Sequence, residues 1–131
     1  MILLDTQAVV WLVSTPRRLS PLARATIGRE RLASGLAIAS VTLMELALMA
    51  AKGRVRISGR PEAWLRDVVS EAGLAVRELG TEIAAVAAYL PPNFPSDPFD
   101  RLIAATAIVE RMPLVTADVR IQKSGVVRTL W

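Results

Sequence analysis

Asp5, Glu45, Asp100 and Asp118 are the side chains of this 131-residue sequence whose type and placement could carry chemistry. The chain has no histidine and no cysteine. That removes imidazole bases, thiol nucleophiles, zinc sites of the usual kind and every Ser-His-Asp arrangement. Each acid also has a plain structural reading. Asp5 and Asp118 could cap the helices that follow them. Asp97, ahead of Pro98 and with Asp100 at the third helical position, is close to a capping box and reads as mainly structural. Asp100 could only favour the helix dipole. Glu45 is harder to dismiss. It sits in Val41-Thr42-Leu43-Met44-Glu45-Leu46-Ala47-Leu48-Met49-Ala50-Ala51, apolar on almost every face, so the helix is expected to be buried. A buried carboxylate needs a cation, an arginine or a metal, or it stays protonated.

Four carboxylates in one place would repel one another by roughly 3 to 4 kcal/mol per close pair at an effective dielectric near 20. A divalent cation removes the conflict, and hard oxygen donors without Cys or His select Mg2+ or Mn2+ over zinc. Such an ion activates water and neutralises charge on a phosphate, so phosphodiester hydrolysis is the natural reaction. The charge distribution agrees. Residues 1–60 hold nine Arg or Lys against three acids, residues 61–131 seven against nine. Arg17, Arg18, Arg24, Arg29 and Arg31 form one group and Arg54, Arg56 and Arg60 another, as expected of a surface that meets phosphates or of solvated helix faces. Arg17, Arg18 and Arg24 are the candidate contacts to such phosphates. No aromatic residue interleaves with them, so base stacking gets no support there.

These acids must be positioned by the elements around them. Ile2 to Leu4 is a short apolar run before Asp5-Thr6, and Ala8, Val9, Trp11 and Leu12 follow at helical spacing. Ser20-Pro21 starts a second helix, to about Arg31. Leu36 to Val41 reads as a strand and Thr42 to Lys52 as a helix ended by Gly53. Pro61 opens a helix that ends near Gly73, before a strand over Leu74–Leu79. Thr81 to Leu90 is helical, and Asp97-Pro98-Phe99-Asp100 starts a helix that Met112-Pro113 stops. Leu114–Thr116 is a fourth strand, Val119 to Lys123 a short helical segment and Val126–Leu130 a fifth strand. Alternating strands and helices imply an α/β fold, one domain over 1–131, with a central parallel sheet of four or five strands flanked by helices on both faces. Ligands bind such sheets outside the carboxyl ends of the strands where strand order reverses. Asp5 and Asp118 directly follow strands, and Glu45 follows one closely, so the acids are expected to converge there.

The opening residues have no basic leader or small-residue cleavage site and do not read as a signal peptide. Leu32 to Ala51 approaches the length of a bilayer span, but Gly35, Ser34, Ser40, Thr42 and the mid-run Glu45 argue for a strand and a helix instead. Apolar residues make up 53% of the chain and charged residues 21%, rich enough to predict a surface covered by a second copy or another protein. The lack of cysteine suits a reducing cytoplasm.

Taken together, Leu3-Leu4-Asp5-Thr6, Ala39-Ser40-Val41-Thr42-Leu43-Met44-Glu45-Leu46-Ala47, Asp97-Pro98-Phe99-Asp100-Arg101-Leu102-Ile103-Ala104-Ala105, Val115-Thr116-Ala117-Asp118 and the terminal Leu130-Trp131 resemble a PIN domain of the VapC toxin type over nearly the whole chain. No single motif is specific; four in this order are. The resemblance implies that Asp5, Glu45, Asp100 and Asp118 are the metal ligands and catalytic acids, supported by Thr116 or Ser40. It also implies an endoribonuclease using Mg2+ or Mn2+, a homodimer, and inhibition by a VapB-like antitoxin. Many relatives carry histidine or a basic residue where this chain has Phe94-Pro95-Ser96. A receiver domain would need paired acids after the first strand, a haloacid-dehalogenase phosphatase Asp-x-Asp, and a dinucleotide oxidoreductase a Gly-rich turn; none is present. A housekeeping PIN nuclease and a catalytically silent binding domain are the remaining rivals, the second weakened by the retention of all four acids.

Overall fold

A computed structural model describes all residues, 1–131. The elements run β1 (Ile2–Leu4), α1 (Thr6–Ser14), a 3-10 turn (Pro16–Arg18), α2 (Pro21–Ala33), β2 (Leu36–Ala39), α3 (Ser40–Ala51) and α4 (Pro61–Glu71). They continue with β3 (Leu74–Arg77), α5 (Thr81–Ala88), α6 (Pro98–Val109), β4 (Leu114–Val115), α7 (Val119–Ser124) and β5 (Thr129–Leu130). The five strands pair in parallel in the order β3-β2-β1-β4-β5. From β1 the chain moves outward through β2 to β3, then returns to the other side of β1 to lay down β4. The order therefore reverses between β1 and β4, and the crevice outside their carboxyl ends is where such a sheet takes a ligand.

Strand alternation divides the interior in two. Ile2, Leu4, Leu36, Ile38 and Val115 face a core shared with Ala8 and Val9 of α1, Ile27 of α2, Leu46 of α3 and Val68 of α4. Leu3, Ala37, Ala39 and Leu114 face the other, with Ile103, Ala104 and Ala107 of α6 and Ile121 of α7. The small side chains on both sides of the second layer let α6 lie close against the strands. No helix is long and apolar enough to cross a membrane.

The structure differs from the sequence reading at element ends and on α3. Strand β2 stops at Ala39 and α3 begins at Ser40, so Ser40 and Val41 lie in the helix rather than in the strand. Ala39, extended at φ −71° and ψ 146°, is the cap, without a side-chain bond to the helix; a junction lacking any turn residue leaves no mark in the sequence. Strand β3 ends at Arg77, and β5 is only Thr129–Leu130. The expected burial of α3 on all faces is not met: only Thr42 and Leu46 are buried, and Met44 is 56% exposed. One chain supplies too few neighbours for so apolar a helix, and its outer face is left uncovered.

Candidate metal centre

Asp5 leaves the end of β1 and caps α1, its Oδ1 accepting from the Ala8 amide at 2.7 Å. The Asp5 amide donates to the Val115 carbonyl at 3.1 Å, which ties the first acid to β4. Thr116 follows Val115 and is fully buried. Its Oγ1 accepts from the Asp118 amide at 3.1 Å, and its hydroxyl acts to lower the Asp5 carboxyl against the effect of burial. A single threonine therefore braces Asp118 and favours the charged form of Asp5. Asp118 caps α7, accepting from the Arg120 amide at 2.9 Å.

Glu45 lies in the second turn of α3 and is held by a polar relay. The Thr6 hydroxyl donates to Glu45 Oε1, and the Thr6 and Thr42 hydroxyls lie 3.2 Å apart. With the Thr6 hydroxyl directed at Glu45 Oε1, Glu45 Oε2 is the oxygen left for chemistry. Asp100 is in the first turn of α6, whose cap Asp97 accepts from the Phe99 and Asp100 amides at 2.8 and 3.2 Å. Arg101 locks this turn in place by donating to the carbonyls of Ala87 at 3.0 Å, Leu90 at 3.1 Å and Pro95 at 3.4 Å.

All four acids line one cavity of about 300 Å3 at the crevice between β1 and β4, with Thr6 and Gln7. Crowding shows in their protonation. Asp5 is raised from 3.8 to about 6, first by burial and then by Glu45 and Asp118, while Thr116 and the Ala8 amide hold it back. Asp100 is raised from 3.8 to about 6 by burial, then by Asp97, Asp118 and Glu45. Burial raises Glu45 too, against the Thr6 hydrogen bond. Asp118 is the exception: its carboxyl is held below its usual range by the hydrogen bond from Arg120.

Arg120 was not singled out from the sequence. Its Nη2 lies 2.9 Å from Asp118 Oδ2 and 3.9 Å from Asp100 Oδ2, a positive charge between two of the acids. In this arrangement no three of the carboxylates are close enough to one another to hold one ion, and two of them turn to the guanidinium. The donor set still suits a hard cation: oxygen atoms only, in one cavity, with two of the acids raised to about 6. A divalent ion on Asp100 and Asp118 would compete with Arg120 for the same charge. Arg120→Gln is therefore expected to tighten Mn2+ binding by about two- to fivefold, the scale of an exposed ion pair, in a titration read by water-proton relaxation. Unchanged or weaker binding would show that Arg120 is not a competitor.

The other expected contacts are placed differently. Ser40 makes no side-chain hydrogen bond to any of the four acids; Thr6 of α1 supports Glu45 instead, with the Thr42 hydroxyl of α3 beside it. Arg17, Arg18 and Arg24 are not brought to the cavity. α1 leads away from Asp5 for nine residues, about 13 Å, and Arg17 and Arg18 lie beyond its far end. Arg18 stacks over Trp11 with its Cζ 4.8 Å from the ring centroid, and Trp11 packs on the terminal Trp131 with centroids 5.6 Å apart. The cations near the acids are instead Arg120 and, in an adjoining cavity, Lys52 and Arg54.

Comparison with known proteins agrees with the fold. The family described as PIN domain matches residues 2–126. The chain is 37% identical over 123 residues to Ribonuclease VapC22 of Mycobacterium tuberculosis, covering 92% of this chain and 89% of that protein. Its fold is similar to that of VapBC2 from Rickettsia felis bound to a promoter DNA fragment, with a TM-score of 0.75, 19% identity and 98% and 97% of the two chains covered. It is also similar to DNA-bound VapBC from Salmonella typhimurium, with a TM-score of 0.72, 24% identity and the same coverage. With that match over nearly its whole length, the chain belongs to the PIN-domain family.

Proposed function

We propose that this protein is a metal-dependent endoribonuclease and the toxin of a toxin–antitoxin pair. The observation that carries the reading is the convergence of Asp5, Glu45, Asp100 and Asp118, from four separate segments, on one cavity at the sheet's switch point. A relative named as a ribonuclease supports the substrate class, and relatives solved as VapBC complexes support a VapB-like antitoxin as partner. On this reading the protein works in the cytoplasm, where its RNA substrate and its antitoxin are made.

Asp5, Asp100, Asp118 and Glu45 would hold the Mg2+ or Mn2+ ion. When bound, the ion supplies positive charge and Lewis acidity for hydrolysis of a phosphodiester. The chain supplies the rest. Thr116 holds Asp118, the Ala8 amide and the Val115 carbonyl hold Asp5, and Thr6 fixes Glu45 with Oε2 free. Asp97 and Arg101 hold the first turn of α6 so that Asp100 faces the other three. Positioning of this kind sets a water in line with the phosphate instead of leaving it to diffuse. The uncovered face of α3, with Met44 exposed, supports a homodimer.

Purified protein freed of any partner is expected to cut a mixed cellular RNA pool with Mn2+ and to leave it intact in excess chelator. Failure to cut RNA under either condition would leave a silent binding domain as the better reading.

A further inference from the structure

Beside the acid cavity lies a second one, of about 250 Å3, and the two share Gln7, Glu45 and Met49 as common wall. Lys52, Arg54 and Phe99 line its other side. The local chain explains why two cations meet there. Gly53, at φ +72°, ends α3 in a left-handed turn, with its amide on the Ala50 carbonyl at 3.1 Å and the Arg54 amide on the Met49 carbonyl at 2.9 Å. This closing turn folds Arg54 back against the helix that carries Glu45. Lys52 follows seven residues after Glu45, about 10 Å along the axis. Both cations are exposed, and neither forms an ion pair, although Glu45 and Asp97 line the same cavity.

We propose that this second cavity is a substrate subsite, in which Lys52 and Arg54 take the backbone phosphate of a nucleotide flanking the scissile bond. The assignment rests on the ribonuclease reading and extends it. A strand whose scissile phosphate sits among the four acids is covalently continuous and must leave that cavity through one of its sides. Here the adjoining cavity offers unpaired donors for the next phosphate and, in the half-buried ring of Phe99, a face for its base. The same cations offset the repulsion between the strand and the acids. An acidic protein segment would also meet two cations here, but no covalent link would tie it to the acid cavity.

The test compares steady-state cleavage of single-stranded RNA by the full chain, Lys52→Gln/Arg54→Gln and Arg17→Gln/Arg18→Gln, all with Mn2+. The Lys52/Arg54 pair is expected to raise KM about tenfold with kcat little changed. It should also lower the slope of log(kcat/KM) against log salt by about 0.7 for each phosphate that the variant no longer neutralises. Mn2+ affinity, read by water-proton relaxation, stays the same, and Lys52→Arg/Arg54→Lys restores most of the KM. The Arg17/Arg18 pair, remote from the acids, leaves KM unchanged. An unaltered KM and salt slope in the Lys52/Arg54 variant would overturn the subsite while leaving the nuclease intact, and so would an equal rise in the Arg17/Arg18 variant. A wild-type chain that cuts no RNA would overturn both readings together.

Discussion

Asp100→Asn is expected to lower RNA cleavage by about a thousandfold or more while raising the melting temperature of the metal-free chain. The two effects have one origin. Asp100 is pushed to about 6 by burial and by Asp97, Asp118 and Glu45, so near neutral pH its ionised form sits in a place that disfavours it. Amide replacement keeps the shape and removes the charge, relieving first its burial and then the repulsion, a gain of up to about 2 to 3 kcal/mol for a shift of about two units. Asp5→Asn behaves alike, because Asn retains the oxygen that accepts from Ala8 and Asp5 is raised by burial, Glu45 and Asp118. Asp118→Asn provides the contrast. Its charge is favoured by Arg120, so its removal should stop cleavage without any gain in melting temperature. Melts in chelator, read beside cleavage with Mn2+, decide the matter. A well-folded Asp100→Asn chain that still cuts at the normal rate would remove Asp100 from the site. Equal melting shifts in all three variants would mean that the acids do not feel one another.

The parts of this site that were legible in the sequence are those where local chemistry and chain order coincide. Asp5 and Asp118 follow apolar strand-like runs, and the alternation of strands and helices locates the ends of those strands at one edge. The cap formed by Asp97 ahead of Pro98 was equally plain, since Asp, Pro and a third-position acid are all local features. What escaped depends on distance in space. Thr6 adjoins Asp5, but its partner Glu45 is 39 residues away. Arg120 is two residues from Asp118, yet its approach to Asp100 requires α6 and α7 to meet. The basic cluster of Arg17, Arg18 and Arg24 stands out in the sequence because charge density along a chain carries no direction, yet α1 carries Arg17 and Arg18 away from the acids and Arg24 does not line their cavity. Lys52-Gly53-Arg54 has fewer charges but the right address, fixed by the length of α3 and the turn at Gly53. The apolar character of α3 holds as composition and fails as burial, because a single chain cannot reveal what covers its surface.

The metal-free protein is expected to melt higher at pH 5 than at pH 7.5, by about 5 °C or more. Asp5 and Asp100 titrate near 6 in the folded chain and near their ordinary value when unfolded, so between those values the folded state binds more protons. Stability contributed by these two groups is complete below about pH 4 and is lost as the pH rises through 6. Asp118 works in the opposite sense. Its carboxyl is depressed by Arg120, so its contribution is present above the ordinary carboxylate value and fades as the pH falls through its lowered one. The bare chain should therefore be most stable near pH 4 and lose stability steadily from there to about pH 6. Saturating Mg2+ should remove this slope above pH 5, because the ion-bound fold holds the acids deprotonated, as they are in the unfolded chain, and gains a binding free energy that grows with the ratio of free Mg2+ to Kd. The two melting curves, one in chelator and one in Mg2+, then separate as the pH rises through 6. Asp5→Asn/Asp100→Asn should flatten the chelator curve and abolish the separation. Parallel curves in the wild type, or a separation that survives the double substitution, would place cation binding somewhere other than this cavity.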